Sequence, residues 1–294
     1  MKKVFLTIVN ICLIVFIGNA QDVVKKANNF IDLLSAEQKT GTLFPFDSEE
    51  RYNFHFVPFV RKGITFNEMN AQQTEAGLAL LRACLSEMAY KKATDIVAME
   101  VVLKEIENRK PEDKYRDPGN YHFSIFGIPS NKTIWGWRFE GHHISYNFSF
   151  DKKMIVSGTP GFMGSNPAVV LTGSKKGKEI LKEETEEGFQ VLNSLDAAQL
   201  RKAIIDTIAY KDILTFDKRS AAINSKLGLK YTDLNETQQA LLLKLIKVYV
   251  NRYTHLFAES MLKDIQVAGL DNILFAWAGT TINQVGSPTY YRVQ

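Results

Sequence analysis

The stretch that decides the fold is residues 121–157, with the sequence YHFSIFGIPSNKTIWGWRFEGHHISYNFSFDKKMIVS. Apolar and polar side chains alternate along residues 121–126 and again along residues 133–150, a pattern typical of strands with one buried face. Turn-forming residues separate the two runs at Ile128–Asn131. The stretch predicts an antiparallel meander with two hairpins, in which residues 133–150 form one long strand interrupted at Gly141.

Helical periodicity flanks this meander on both sides. The predicted helices are residues 22–34, a helical hairpin within residues 66–108 whose arms meet near Tyr90, a start at Asn166–Pro167, residues 177–192, residues 196–210, and one long helix over residues 235–265. Further strands are predicted at residues 52–58, 272–277 and 289–293. The fold class is therefore α+β: an antiparallel meander flanked by helices, with the helical hairpin N-terminal and the long helix C-terminal. The sequence shows no recognisable internal repeat.

Residues 1–20 have the three parts of a cleavable signal peptide. Lys2 and Lys3 provide the positive charge, Val4–Ile17 form an apolar run, and small residues follow at Gly18–Ala20. The run of about 14 residues is shorter than the roughly 20 that a membrane-spanning helix needs. We therefore expect an exported protein, periplasmic, cell-surface or secreted, without a stable membrane anchor, whose residues 21–294 form a single domain.

The charge balance and cysteine content narrow the choice of partners. The formal net charge is +4, and removal of the two signal lysines brings it to about +2, which does not favour a nucleic-acid partner. Cleavage also removes Cys12 and leaves Cys84 as the only cysteine. An internal disulfide is then excluded, so the fold must depend on its hydrophobic core. The sequence does not define the oligomeric state.

The polar residues of the β-rich stretch form the candidate site. Strand alternation places Arg138, Glu140 and His142 on the face opposite the aromatic residues. The alternation changes phase at Gly141, which predicts a bulge that brings His143 to the same surface. With the preceding hairpin closed, His122 falls roughly opposite Arg138. The alternative is a polar sheet face that carries histidines without a function.

Two functions fit this cluster. The first is a metal-dependent hydrolytic enzyme that binds a divalent transition metal such as zinc; its predicted ligands are His122, Glu140, His142 and His143. The same groups equally suit acid–base catalysis, with Glu140, His142, His143 and Arg138 as catalytic residues and Trp137 and Asn147 contacting substrate. The second is a non-catalytic module of the cell envelope that binds a metal, a small molecule, a glycan or a peptide. In that reading, Trp135 or Trp137 is turned outward as a stacking platform.

An acidic run at Glu183–Glu187 lies on a predicted helix. A solvated acidic face is the ordinary interpretation. Glu183 and Glu187 are like charges four residues apart, which is unfavourable unless a cation lies nearby. The run is also a candidate source of a carboxylate for the histidine face.

Ten short segments are distributed along most of the mature chain: Phe56–Pro58, Arg61–Gly63, Leu85–Ser86, Arg116–Pro118, Phe126–Pro129, Trp135–Asn147, Thr159–Pro160, Gly164–Ala168, Glu183–Glu184 and Phe275–Gly279. In these segments the sequence resembles a family of exported bacterial proteins catalogued as domain of unknown function 3500. The resemblance implies family membership, and it implies no activity because the family has none agreed.

The C-terminal residues Tyr290–Gln294 are β-prone and have no polar tail. In the family pattern, a segment like this one is followed by another strand and a histidine-bearing stretch. We therefore expect that the natural chain continues past Gln294, and that without the continuation its last strand leaves an apolar edge prone to association.

Overall fold

A computed structural model of the protein describes residues 18–294, with side chains from Asp22 onward. The apolar run of the predicted signal peptide, Val4–Ile17, lies outside the described residues. No helix in the described part of the chain is both long enough and apolar enough to cross a membrane.

The described residues form eight α-helices and eleven strands. The helices are α1 (Gly18–Leu33), α2 (Ala36–Thr42), α3 (Ala71–Arg82), α4 (Glu87–Ile106), α5 (Lys182–Asn193), α6 (Ala197–Ala203), α7 (Glu236–Val250) and α8 (His255–Ala268). The strands are β1 (Leu43–Phe44), β2 (Ile64–Thr65), β3 (His122–Phe126), β4 (Ile134–Gly141), β5 (Ile144–Asp151), β6 (Met154–Ser157), β7 (Gly161–Met163), β8 (Ile204–Asp206), β9 (Leu229–Lys230), β10 (Leu274–Gly279) and β11 (Thr289–Val293).

These strands form two mixed sheets, and the protein has the predicted α+β fold. The first sheet has the order β1-β3-β4-β5-β6, with β2 beside β3 and β7 beside β5. Strands β3 to β6 are the predicted antiparallel meander, while β1 adds a parallel edge. The second sheet has the order β11-β10-β8, with β9 beside β10. The predicted strand at Thr289–Val293 is therefore confirmed.

The two sheets belong to two units with the same element order. The series α1-α2-β1-β2-α3-α4-β3-β4 is followed later in the chain by α5-α6-β8-β9-α7-α8-β10-β11. The strand pairing is also the same: β1 is parallel to β3 as β8 is to β10, and β2 is antiparallel to β3 as β9 is to β10. The chain thus contains an internal structural duplication, and the expectation of no repeat was wrong.

Short sequence correspondences support the duplication. Residues 63–73, GITFNEMNAQQ, align without a gap with residues 228–238, GLKYTDLNETQ. Gly63 and Gly228 both have a positive φ, and at either position a Cβ atom would collide with the carbonyl oxygen of β3 or β10. Both glycines are therefore required by the same close approach of backbones.

In each unit, one pair of glutamines joins the helices in the same way. In the first unit, Gln73 Nε2 donates to the carbonyl oxygen of Leu33 at 2.9 Å and Gln38 Nε2 to that of Glu68 at 2.7 Å. In the second unit, the corresponding bonds run from Gln238 to Ser194 at 2.7 Å and from Gln199 to Asp233 at 2.9 Å. All four glutamines also close the capping boxes of their own helices.

The two units meet in a contact whose backbone hydrogen bonds are reciprocal. Leu85 and Tyr253 occupy the same position between the last two helices of their units and form an antiparallel bridge with each other. The backbone N–H of Ser86 donates to the carbonyl of Arg252, and that of Thr254 to the carbonyl of Cys84. Exchange of the two units exchanges these two bonds, as twofold symmetry requires.

Each unit has its own hydrophobic core. The first core packs α1, α3 and α4 against the aromatic face of the meander, where Trp137 and Phe148 stack. The second packs α5 and α7 against β10, with Trp277 at its centre. Met261 of α8 contacts both cores.

Several helix predictions need correction. The predicted long helix over residues 235–265 is two helices, because residues 251–254 leave the helix to form the bridge between the units. For the same reason the arms of the N-terminal hairpin meet at residues 83–86 and not near Tyr90. No helix starts at Asn166–Pro167; the next helix, α5, begins at Lys182.

The predicted strand at residues 52–58 is also absent. Phe54 and Phe56 are buried, so the alternation is real. The segment pairs with no strand of the described chain, however, and lies over the polar face of the first sheet. Phe54 and Phe56 point into the protein, which explains the apolar–polar alternation of the segment although it forms no β-ladder.

Candidate functional site

His142 and His143 form the two-residue turn between β4 and β5, since Gly141 pairs with Ile144 on either side of it. His143 has a φ of 59°, a left-handed conformation that tight hairpin turns use. The phase change at Gly141 is thus a hairpin turn, and the predicted bulge in one long strand is wrong. The two imidazoles therefore lie at the end of the sheet and not on its polar face.

Arg138 and Glu140 lie on the polar face of β4 as predicted, but that face is covered. Arg138 is only 1% exposed. Its Nε lies 2.7 Å from Oε1 of Glu140, its Nη2 lies 2.6 Å from Oε1 of Glu50, and its Nη1 donates to the carbonyl oxygens of Glu50 and Asn53. Arg138 therefore holds the covering segment on the sheet and is out of reach of a substrate.

Arg61 is the second cation beside Glu140. Its Nε lies 3.4 Å from Oε2 of Glu140, and its Nη2 donates to the carbonyl oxygens of Val57 and Gly141 at 2.5 and 3.2 Å. Burial raises the pKa of Glu140 to about 7, although the charges of Arg138 and Arg61 act in the opposite direction. This buried charge network ties the loop around Val57 to the turn that carries the histidines.

His142 contacts a carboxylate that the sequence analysis did not select. Its Nδ1 lies 2.5 Å from Oε1 of Glu100, a residue of α4 that is 3% exposed. Because a carboxylate only accepts hydrogen bonds, Nδ1 carries the proton. This leaves Nε2 as the basic nitrogen of His142, the arrangement of a histidine oriented for proton transfer.

Arg116 and Tyr121 fix the position of His142. Nη1 of Arg116 lies 3.2 Å from Nδ1 and 3.4 Å from Nε2 of His142, and the same guanidinium binds Glu107 at 2.6 Å. The Tyr121 hydroxyl donates to the backbone carbonyl of His142 at 3.0 Å. Both the ring and the backbone of His142 are thus held by neighbouring elements.

His122 lies at the start of β3 and is paired with Glu140, not with Arg138 as predicted. Its Nδ1 lies 3.3 Å from the carbonyl oxygen of Gly63. A carbonyl oxygen only accepts, so Nδ1 carries the proton and Nε2 keeps a free lone pair. Burial lowers the pKa of His122, which favours this neutral form.

His122 and His142 line one cleft at the end of the first sheet, with a volume of about 730 Å³. Such a volume is typical of sites for small ligands. The other walls come from the loop at Pro58–Arg61, from Glu100, and from the connection between α4 and β3. Three segments of the family resemblance, Phe56–Pro58, Arg61–Gly63 and Arg116–Pro118, therefore meet at this cleft or beside it.

The remaining predicted site residues lie elsewhere. Trp135 and Trp137 are 0% and 1% exposed and stack on Phe150 and Phe148 in the first core. Neither tryptophan is a platform for a ligand, so that part of the prediction is wrong. Asn147 donates to the carbonyl of Pro160 at 3.1 Å and does not line the cleft.

The four predicted metal ligands do not converge on one point. Glu140 contacts two arginines, and His122 contacts a backbone carbonyl. His142 contacts Glu100, and the ring of His143 lies 4.0 Å from that of His142, so only these two imidazoles are neighbours. Among the described residues, no group of three or more His, Cys, Asp or Glu side chains is arranged to hold a metal ion. The side chains present therefore do not fit the predicted metal centre.

The acidic run of α5 is neutralised by basic residues and does not reach the histidines. Glu184 is buried and contacts Lys92 at 2.9 Å and Arg252 at 2.7 Å. Lys92 also lies 3.4 Å from Glu183, and Lys244 lies 2.7 Å from Glu187. Each of the like charges at Glu183 and Glu187 thus has a cation beside it, and the run stabilises the contact between the two units.

Burial of His143 predicts a loss of stability in acid. Burial and the neighbouring His142 and Arg116 lower the pKa of His143 to about 4. Between about pH 6.5 and about pH 4 the unfolded chain therefore binds a proton that the folded protein does not, so stability falls as the pH falls. We expect His143→Asn, which tolerates the left-handed backbone, to reduce this loss in urea unfolding at about pH 4.5 while changing little at about pH 7.5.

The control for this prediction is His255→Asn. The side chain of His255 is 83% exposed on α8, so its replacement should leave the pH dependence unchanged. Equal acid sensitivity of the wild type and His143→Asn would contradict the prediction.

The sequence carried a signal for Glu100 that was not used. Ile96, Met99 and Leu103 form the buried stripe of α4. Glu100 follows Ile96 by four residues and so lies on the same stripe. A buried carboxylate requires a hydrogen-bonding or positively charged partner. A histidine in that position forms an acid–base pair with it.

Comparison of the two units separates residues that maintain the fold from residues peculiar to the cleft. Arg138 corresponds to Arg292, which is also buried and donates to a backbone carbonyl, that of Leu227. The two units align by their equivalent strand pairing and by the bridge between Leu85 and Tyr253. The cleft residues Glu100, Tyr121 and His122 then correspond to Ala268, Ile273 and Leu274. The second unit keeps the structural arginine and lacks the cleft chemistry.

The comparisons with known proteins agree with the resemblance seen in the sequence. No curated protein and no solved structure matches the chain. A family model described as "Protein of unknown function (DUF3500)" matches residues 18–294, so the chain belongs to this family.

Proposed function

We propose that the cleft is the active site of a hydrolase in which His142 transfers protons and Glu100 orients it. The observation that carries the proposal is the 2.5 Å contact between Nδ1 of His142 and Oε1 of Glu100 in the wall of a cleft of about 730 Å³. A buried carboxylate behind an imidazole fixes the ring tautomer and stabilises the imidazolium that forms during proton transfer. Nε2, whose neighbouring donor is Nη1 of Arg116 at 3.4 Å, then takes a proton from a nucleophile in the cleft.

The chemistry that suits this pair is the hydrolysis of an ester or amide. His142 removes a proton from water, and the oxygen of that water bonds to the acyl carbon. The bond from the acyl carbon to the leaving oxygen or nitrogen then breaks, and His142 returns the proton to that leaving atom. His122 lines the same cleft, and the free lone pair on its Nε2 is suited to orient the attacking water. Glycoside hydrolysis is less well supported, because it uses two carboxyl groups and Glu100 is already bound to His142.

The sequence predicted a metal-dependent reaction first. It allowed the same residues to act instead as an acid–base cluster without a metal. The arrangement of the side chains supports the acid–base version, with Glu100 in the role first given to Glu140. Export by residues 1–20 stays a prediction; it suits a hydrolase that acts on material outside the cytoplasm.

The test is turnover of a panel of chromogenic esters, amides and glycosides by the mature protein. We expect hydrolysis of at least one ester or amide by the wild type and a loss of about 100-fold to 10,000-fold in His142→Asn. His255→Asn serves as the control and should retain wild-type turnover. A protein that binds members of the panel without turnover would instead support the non-catalytic binding module.

A further inference from the structure

We infer that the substrate of this cleft carries an apolar group that binds against Phe59, Val60 and Tyr115, an inference that rests on the proposed function for the reaction itself. These three residues are 56%, 91% and 51% exposed, and all of them line the cleft that contains His122 and His142. Exposed apolar side chains that converge on one concave site are typical of ligand recognition.

Contacts within the protein fix the position of Phe59. Its ring stacks on the ring of His55 at 4.1 Å between centroids. The backbone carbonyl of Phe59 accepts a hydrogen bond from Nη1 of Arg61 at 3.1 Å, and Arg61 is anchored to Glu140 and Gly141. The loop thus presents a positioned aromatic ring whose remaining surface is open to the cleft.

Tyr115 is held in the same manner from the other wall. The guanidinium groups of Arg109 and Arg116 lie 4.4 and 4.6 Å from its ring centroid. Its backbone N–H donates to Asp113 at 2.7 Å. Because an aromatic ring fixed before binding loses little conformational entropy on binding, both rings are suited to hold a ligand.

Most polar groups of the cleft already have partners within the protein. Asp113 binds Arg109 at 2.8 Å, and Asp117 accepts from the backbone of Gly119 at 2.8 Å and from Asn67 at 3.1 Å. The Asn120 amide donates to the carbonyl of Lys114 at 2.8 Å. Beside the histidines and the exposed Lys114, the cleft therefore offers a ligand mainly the apolar surfaces of Phe59, Val60 and Tyr115.

Binding of the uncharged fluorescent dye Nile red tests the inference without any turnover. The wild type should bind the dye, and Phe59→Ser and Tyr115→Ser should each weaken binding by about tenfold. Tyr115→Phe keeps the ring and should retain wild-type affinity. Ile208→Ser is the matched control, since Ile208 is 75% exposed and lies outside the cleft.

Loss of affinity in both serine variants, with the two controls unchanged, would support the inference. Absence of dye binding by the wild type, or an equal loss in Ile208→Ser, would overturn it. Dye binding of the expected kind in a protein that hydrolyses nothing would leave this inference standing and refute the proposed function. With an active ester, the serine variants should raise KM and leave kcat unchanged.

Discussion

Replacement of Arg138 by methionine is expected to lower the free energy of unfolding by about 3–5 kcal/mol. The guanidinium of Arg138 is buried between Glu50 and Glu140 and also donates to two backbone carbonyls. Methionine keeps much of the volume, but it removes a cation from beside two buried carboxylates and the donor from two backbone carbonyl oxygens. The covering segment should therefore separate from the sheet at a lower urea concentration.

The pH dependence of the same variant gives a second readout. Burial already raises the pKa of Glu140 to about 7, and loss of a neighbouring cation raises it further. A carboxyl group with a raised folded pKa binds its proton more tightly in the folded state, so its contribution to stability falls as the pH rises from about 4.5 toward the folded pKa. The destabilisation should consequently be smaller at about pH 5 than at about pH 8.

Lys62→Met is the control for Arg138→Met. Lys62 lies 3.9 Å from Glu50, and its side chain is 66% exposed. At this distance, and with the ammonium group in solvent, such a pair contributes about 0–1 kcal/mol. Equal stability of the two variants would show that Arg138 does not hold the segment in place.

Replacement of Glu100 by glutamine is expected to lower turnover about 100-fold to 10,000-fold. Glutamine keeps the shape of the side chain and an oxygen that accepts from Nδ1 of His142. It removes the negative charge that stabilises the imidazolium formed when Nε2 takes a proton. The measurement is kcat on the best ester or amide of the panel, together with a thermal unfolding curve.

Glu105→Gln is the matched control for Glu100→Gln, since Glu105 is an exposed residue of the same helix. It should leave kcat unchanged. If Glu100→Gln retains full turnover in a folded protein, Glu100 has only a structural role.

Local sequence patterns predicted the fold class and the faces of the meander correctly. Strand alternation placed Trp135 and Trp137 in the core and Arg138 on the opposite face, because a period of two is fixed by the pleat. The same reading missed the turn at His142–His143. A two-residue hairpin and a bulge both change the phase of alternation, and only the turn reverses the chain direction.

The duplication was not predicted because its two copies share few residues. The glycine, asparagine and glutamine of residues 63–73 recur in residues 228–238, but the apolar residues differ, as at Ile64 and Leu229. Cores tolerate such changes when volume and patterning are kept. Both copies retain the glycine that the close approach of backbones requires, and the asparagine and glutamine that hydrogen-bond to backbone groups.

The candidate site was predicted in part. The sequence selected His122 and His142, which line the cleft, and Glu140, which lies in the charge network beside it. Glu100 and Arg116 come from distant parts of the chain, and their contacts with His142 depend on how α4 packs against the sheet. No local pattern encodes such packing, so a long-range partner of this kind is visible only in the folded chain.

A double-mutant cycle on His142 and Glu100 tests the central claim most directly. Turnover is measured for the wild type, His142→Asn, Glu100→Gln and the double variant. If Glu100 acts through His142, the double variant should be no slower than His142→Asn alone, within about twofold, since groups that act as a unit are not additive. Independent, multiplicative losses from the two substitutions would contradict the account.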